Sequence, residues 1–353
     1  MIHSPYLLFL GDAPDIATAK TAAGIRQWRP ELCAGQLRLP GCRVDLGLPD
    51  LTPAEAAGHG IRSLIIGIAN DGGFIAPHWV AAIVGALQAG LDIASGLHEP
   101  LAGVPEIAAA ARQTGRRLID VRQPDQAFLP GTGKKRTGRR VLTVGTDCAV
   151  GKKYTALAIE KEMRSRGIDA DFRATGQTGI FISGRGVAVD SVVSDFVSGA
   201  AEWLSPPAAP SHWDVIEGQG SLFHPAYAGV TLGLIHGSQP DAMVLCHDLA
   251  RRGIADYEGF AIPSYESCFD LYLAAARLTN PRARFAGVSL NTSHLEEKEA
   301  ARAVADVANL VSLPCCDPIR HGVGPVVDEI LTAEQRSRQR EPVISRPNPG
   351  SQS

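Results

Sequence analysis

The sequence predicts an α/β protein of two successive domains, each built around a parallel sheet. Three observations predict it. Over the first 125 residues, short apolar runs alternate with helical-period stretches, the rhythm of parallel strands joined by helical crossovers. At 141–167 a β-branched run through Val141, Leu142 and Val144 enters a glycine-bounded loop, and a helical pattern through Ala156, Ile159 and Met163 follows until Gly167 closes it. Further apolar runs at 214–217, 242–246 and 285–290 each end in polar residues, where open α/β sheets gather their ligand-binding loops.

In order, the first strand is read at 6–10 and a helix at 18–28. A strand at 64–68, an apolar helix at 75–89, a strand at 91–96, a helix at 105–113 and a strand at 117–121 complete the first domain. The rhythm is Rossmann-like, but Gly11-Asp12-Ala13-Pro14 is no GxGxxG, so no dinucleotide is assigned to it. The stretch 122–138, rich in Pro, Gly and Lys, marks the domain boundary. The expected division is a Rossmann-like domain at 1–125, a linker at 126–138, a P-loop NTPase-like parallel-sheet domain at 139–335 and a flexible tail at 336–353. The basic run Lys134, Lys135, Arg136 is read as solvated linker. In the second domain a strand at 169–172 ends in a glycine-rich turn, and a long helix is expected over 187–203.

Composition narrows the function classes. A chain of 353 residues, 45% hydrophobic, with a net charge of -3 has no general attraction for nucleic acid. Seven cysteines without a CxxC pair predict reduced thiols and a cytoplasmic location. Cys315 and Cys316 are read as structural. Apolar runs are too short for a membrane span, and without HxH, HExxH or CxxC spacing no metal site is assigned.

The loop GTDCAVGKKYT carries the chemistry. From Thr146, four residues precede Gly151-Lys152, the spacing at which backbone N–H groups wrap an anion at a helix N-terminus. The expected cofactor-binding set is Gly145, Thr146, Asp147, Cys148, Ala149, Val150, Gly151, Lys152, Lys153, Tyr154 and Thr155. A nucleotide-hydrolysing loop places a magnesium-binding hydroxyl after its lysine, and here that position is Lys153.

Other strand ends bring Gln177 with Thr178, Glu217 with Gln219, and His247 with Asp248 to one rim. Glu217 and His224 are the candidate catalytic bases, one a carboxylate at a strand end and the other an imidazole titrating near neutrality. Gln177, Thr178, Arg185 and Asp190 are the candidate substrate-binding residues, Arg185 offering a planar fork to a carboxylate. Asp190 and Asp195, five apart, do not share a helix face and are not paired as acid and base.

GTDCAVGKKYT, the GQTG turn, EGQGSLFHPAYAG and HGSQPDAMVLCHD together resemble the DgcN-type D-glutamate N-acetyltransferase family, formerly known only as a P-loop domain of unknown function. The resemblance covers nearly the whole chain. A more distant similarity is to dethiobiotin synthetase, whose phosphate loop reads much like GTDCAVGK. The family implies transfer of acetyl from acetyl-CoA to the amino group of D-glutamate or a related D-amino acid. The expected partners are then a small amino acid and further copies of the chain in a homo-oligomer. The alternatives are an ATP-dependent ligase using Mg-ATP, with Asp147 and Glu217 on the magnesium, and a nucleotide-responsive regulatory protein.

Overall fold

The computed structural model describes residues 2–70, 72–124 and 126–340. The first domain runs β1 (Tyr6–Gly11), α1 (Lys20–Trp28), β2 (Cys33–Arg38), α2 (Pro53–Gly58), β3 (Ser63–Ile66), α3 (Val80–Gln88), β4 (Asp92–Ser95), α4 (Pro105–Thr114) and β5 (Leu118–Asp120). Its parallel sheet has the order β2-β1-β3-β4-β5. The second domain runs β6 (Arg139–Gly145), α5 (Lys152–Ser165), β7 (Ala170–Arg173), α6 (Gln177–Ser183), α7 (Val197–Leu204), β8 (Trp213–Ile216), α8 (Ala228–Ser238), β9 (Ala242–Asp248), α9 (Tyr265–Arg277), β10 (Arg284–Asn291), α10 (Glu297–Val311), β11 (Cys315–Cys316) and α11 (Gly324–Arg340). Its sheet is also parallel, in the order β11-β10-β9-β6-β8-β7.

β1, β6, β8 and β9 are buried along nearly their whole length, as expected of strands covered by helices on both faces. The register places Gly145 opposite Cys246 and Leu142 opposite Ile216. The end of β6 therefore lies between Glu217 and His247. The chain goes out to β7, returns through β8 and crosses β6 to reach β9, so the reversal of strand order falls at β6.

Several elements differ from the sequence reading. β2 and α2 were not foreseen, although α2 carries a complete capping box between Thr52 and Glu55. The GQTG turn opens a helix, α6, capped by Gly176 and ended by left-handed Gly184. The long helix expected over 187–203 is broken: only α7 is α-helical, after two 3₁₀ turns at Val189–Ser191 and Ser194–Phe196. Between them Val192 is extended, a conformation that suits a β-branched side chain, and Val193 (φ -55°, ψ 135°) is also non-helical. Where a tail was expected from 336, α11 continues to Arg340, and 341–353 lie outside the described residues.

The segment ahead of β6 is docked on the second domain. Lys135 Nζ donates to Gln239 O at 2.9 Å and to Asp241 Oδ1 at 2.8 Å. Arg136 donates to Ser205 O, Ser205 Oγ and Gly237 O, so the basic run is only partly solvated. Fully buried Arg140 is held by carbonyls including Thr137 O at 3.0 Å and Arg136 O at 3.2 Å.

The two domains share a core. Ala19, Ala22 and Ile25 of the first pack in one apolar cluster with Ile180, Phe181 and Ile182 of the second. Arg29 Nη1 donates to Ile182 O at 2.7 Å, Thr21 and Thr178 hydroxyls lie 3.3 Å apart, and Arg122 pairs with Asp190. This fixes α1 beside α6, and thus beside the loop after β6.

Candidate functional site

β6 ends at Gly145, and α5 begins at Lys152 with no side-chain cap. Ala149 (φ 54°) and Gly151 (φ 100°) both take left-handed conformations, which turns the intervening amides to one side. The amides of Ala149, Val150, Gly151, Lys152 and Lys153 meet no acceptor among the described residues. Five consecutive open donors at a helix N-terminus are an arrangement suited to an anion. A Cβ on Gly145 would stand 3.0 Å from Lys152 Nζ and 2.9 Å from Asp147 O, so a side chain there would fill the loop's floor.

The loop's own side chains divide into scaffold and cavity wall. Asp147 is fully buried: Oδ1 accepts from the Cys148 amide at 2.6 Å and Oδ2 from the Ala255 amide at 2.9 Å. Thr146 Oγ1 lies 2.9 Å from His247 Nδ1, whose pKa burial lowers. Thr155 Oγ1 donates to Gly151 O at 3.1 Å and lies 2.8 Å from Ser289 Oγ. The hydroxyl next in line to hold a cation is thus already engaged. Lys152 is buried and reaches back to donate to Asp147 O at 2.7 Å. Lys153 Nζ stands over the Tyr154 ring, 4.8 Å from its centroid. Burial lowers the pKa of both lysines, and Glu217 opposes that for both. Cys148 is half-buried at the cavity wall, and burial pushes its thiol above the ordinary range.

Glu217 follows β8 directly and is 3% exposed. Its Oε2 accepts the Thr175 amide at 2.9 Å and the Gly176 amide at 3.1 Å, while Oε1 has no hydrogen bond among the described residues. Burial raises its pKa, and Lys153, the two amides and Lys152 oppose the rise. Close backbone approach enforces the position. A Cβ on Gly218 would come 1.7 Å from Thr143 O, and one on Gly179 would come 2.4 Å from Glu217 Oε2.

These groups open on a cavity of ≈ 760 Å³. It is walled by the loop from Cys148 to Thr155, by Gly176, Gln177 and Thr178, and by Glu217 to Gly220. Asn291 and Ser293 at the end of β10, a strand end expected from the sequence to gather ligand-binding loops, complete another side, and two further walls are not legible in the sequence: Lys20 and Gln27 from α1, and Asp317 to Arg320 after β11. The two-residue β11 gives almost no strand pattern, and the α1 wall depends on domain docking that no local motif encodes.

Not all the sequence candidates meet there. Arg185 is exposed, bonded to Asp171 Oδ2 at 2.8 Å, and Asp190 pairs with Arg122; neither lines the cavity. His224 also lies outside the lining. Its Nδ1 accepts the amides of Ala226 (3.1 Å) and Tyr227 (3.3 Å), which places the proton of the neutral ring on Nε2. Tyr227 and Tyr257 flank the ring at 4.6 and 4.9 Å. Asp147, Cys148 and His224 bring one potential metal-ligand atom each within 4.8 Å of one another, but both Asp147 oxygens and His224 Nδ1 already accept amides. Among the described residues no helix is long and apolar enough to cross a membrane.

Residues 128–327 match a family model described as Domain of unknown function (DUF1611_C) P-loop domain, and residues 37–124 match the DUF1611_N Rossmann-like domain. A curated D-glutamate N-acetyltransferase of Tritonibacter scottomollicae is 51% identical, covering 94% of this chain and 99% of its own length. A second protein of that name, from a Pseudoalteromonas species, is 48% identical over 92% of this chain and 98% of its own. The crystal structure of a DUF1611 family protein from Anabaena variabilis superposes with a TM-score of 0.85 at 32% identity, over 94% of this chain and 100% of that one.

Proposed function

We propose, on the premise that the chain belongs to the DUF1611 family, that it is a D-glutamate N-acetyltransferase drawing its acetyl group from acetyl-CoA. The observation that carries the reading is relatedness of about one-half identity, over nearly the full length of each pair of chains, to two proteins named D-glutamate N-acetyltransferase. The cavity is chemically suited to the reaction. Coenzyme A carries a pyrophosphate, and the open amides from Ala149 to Lys153 with Lys152 are a phosphate grip that requires no hydrolysis. A magnesium nucleotide is less well served, because Lys153 replaces the metal-binding hydroxyl and Thr155 Oγ1 is engaged.

The base must act beside that grip. An amino acid arrives as an ammonium ion and attacks only after losing a proton. We assign that proton to Glu217 Oε1, which is free of hydrogen bonds among the described residues and belongs to a carboxyl whose basicity burial raises. The amine nitrogen then bonds to the thioester carbonyl carbon, and the C–S bond breaks. The nitrogen sheds its second proton, the sulfur leaves with one proton as the free thiol, and the other proton passes to solvent. A cytoplasmic location, in keeping with seven free cysteines, and a homo-oligomeric state belong to the same reading.

Incubation with D-glutamate and either acetyl-CoA or Mg-ATP tests it. Free thiol and N-acetylglutamate in equal amounts, with no ADP, are expected. ADP formed without thiol would replace the transferase by an ATP-dependent ligase. Tight nucleotide binding with neither product would leave a regulatory protein.

A further inference from the structure

We propose that Lys20 of the first domain, acting with Lys153, receives the side-chain carboxylate of the amino-acid substrate and so sets the preference for a dicarboxylic one. The proposal rests on the transferase reading above and adds a selectivity residue to it.

α1 lays one stripe along the cavity. Lys20, Gly24 and Gln27 stand at i, i+4 and i+7 on its surface, and the first and last of them line the cavity. Gly24 is the seat of Lys153: a Cβ there would lie 3.3 Å from Lys153 Nζ and 2.9 Å from Thr178 Cγ2. The amine of Lys153 therefore rests against α1, one helical turn from Lys20. The two cations are neighbours, and Lys20 contributes, after burial, to the lowered pKa of Lys153.

The cations of the cavity are thus divided. Lys152 is turned into the loop by its bond to Asp147 O and belongs with the phosphate-gripping amides, and Arg320 is held by Glu297 Oε2 at 2.9 Å and Leu295 O at 2.6 Å. Lys20 and Lys153 have no ion-pair partner within 4 Å among the described residues, and both stand on the α1 side. Of the two carboxylates in the lining, Asp317 is spent on Thr292, Ile319 and Arg320, which leaves Glu217. A base that must meet the substrate's amine and a pair of unpaired lysines together match an amino acid with a second carboxylate. Arg185 is unsuited to that role, being outside the cavity and paired with Asp171.

The test compares Lys20→Met and Lys20→Arg with the unaltered protein, using D-glutamate and D-norvaline as acceptors and titrating acetyl-CoA separately. Lys20 is exposed on the surface of α1, so the methionine variant is expected to fold, and circular dichroism checks this. Loss of a charge-assisted contact predicts a KM for D-glutamate about 10- to 100-fold higher in Lys20→Met, a preference over D-norvaline reduced by the same factor, and recovery in Lys20→Arg. The acetyl-CoA KM should stay within about twofold. A rise confined to acetyl-CoA would assign the lysine to a coenzyme phosphate and overturn the proposal. Unchanged constants for both acceptors would overturn it as well. Calorimetric binding of D-glutamate to unaltered and Lys20→Met protein separates the two levels: weakened binding in the variant supports the proposal even if no acetyl transfer occurs, whereas equal binding refutes it.

Discussion

The two sheets finish their central strands in opposite ways. β1 runs into Gly11 and Asp12, and the Asp12 carboxylate fills the position beyond the strand: it accepts Trp79 Nε1 at 2.8 Å and stands 3.1 Å from His78 Nε2. A Cβ on Gly11 would already lie 2.5 Å from Ile68 Cδ1. β6 runs instead into a loop that lines the cavity and has five amides without an acceptor among the described residues. Both ends satisfy the topological rule for where a ligand should sit, and of the two only the β6 end lines the cavity. A parallel sheet fixes the place of a site; the few residues after the strand decide whether there is one.

Four experiments break or sharpen that contrast. The largest effect is expected from Glu217→Gln, which keeps the shape and an amide acceptor but removes the base: kcat for D-glutamate acetylation should fall by about 10²- to 10⁴-fold. A loss below about threefold would move the proton transfer elsewhere. Next, Lys152→Ala should raise the acetyl-CoA KM by about 10- to 100-fold, measured by thiol release, with calorimetry to confirm weaker binding. An unaltered coenzyme affinity would make the β6 end as inert as the β1 end.

The pH profile ranks third. Because burial raises the Glu217 pKa, deprotonation and activity appear as pH rises through a value above the ordinary carboxylate range. The acid limb of log kcat should lie there in the unaltered protein and vanish in Glu217→Gln; an acid limb at the ordinary value would show that burial does not govern this carboxyl. The smallest effect is expected at the other strand end. Asp12→Ala removes the acceptor of a buried indole N–H and should lower unfolding stability by about 0.5–1 kcal/mol, a figure kept low by the partial exposure of the carboxylate. The Trp79 hydrogen bond is the main cause of its depressed pKa, so this contribution is present at neutral pH and fades as pH falls through the folded-state value. Chemical denaturation measures it, and kcat per folded molecule should not move. A catalytic defect at Asp12 would erase the contrast.

The sequence revealed features whose cause is local. The loop from Gly145 to Thr155 was legible because its strand, glycines, lysine and helix are contiguous, and Glu217 because it ends an apolar run beside Gly218. α6 is not legible because its seven residues, which begin within the GQTG turn, give too short a helical period, and the helical pattern over 187–203 is interrupted because β-branched Val192 and Val193 favour non-helical backbone. Lys20 and Gln27 were invisible as site residues for another reason. Nothing within α1 reports that it docks against α6, and that docking arises from the shared burial of Ile25 with Phe181 and Ile182. Arg185 drew attention as a cation between two glycines, yet Asp171 is closer to it than any ligand-binding surface.

Cys148 gives the loop one more property. A sulfur beside a thioester is a rival acceptor, since a thiolate exchanges with thioesters far more readily than a thiol does. Burial pushes the Cys148 thiol above its ordinary range, which favours the thiol over the thiolate. Under the proposed function, the wall beside the thioester is then chemically silent: the acetyl group has one outlet, the incoming amine, and acetylated enzyme should not accumulate when that amine is withheld.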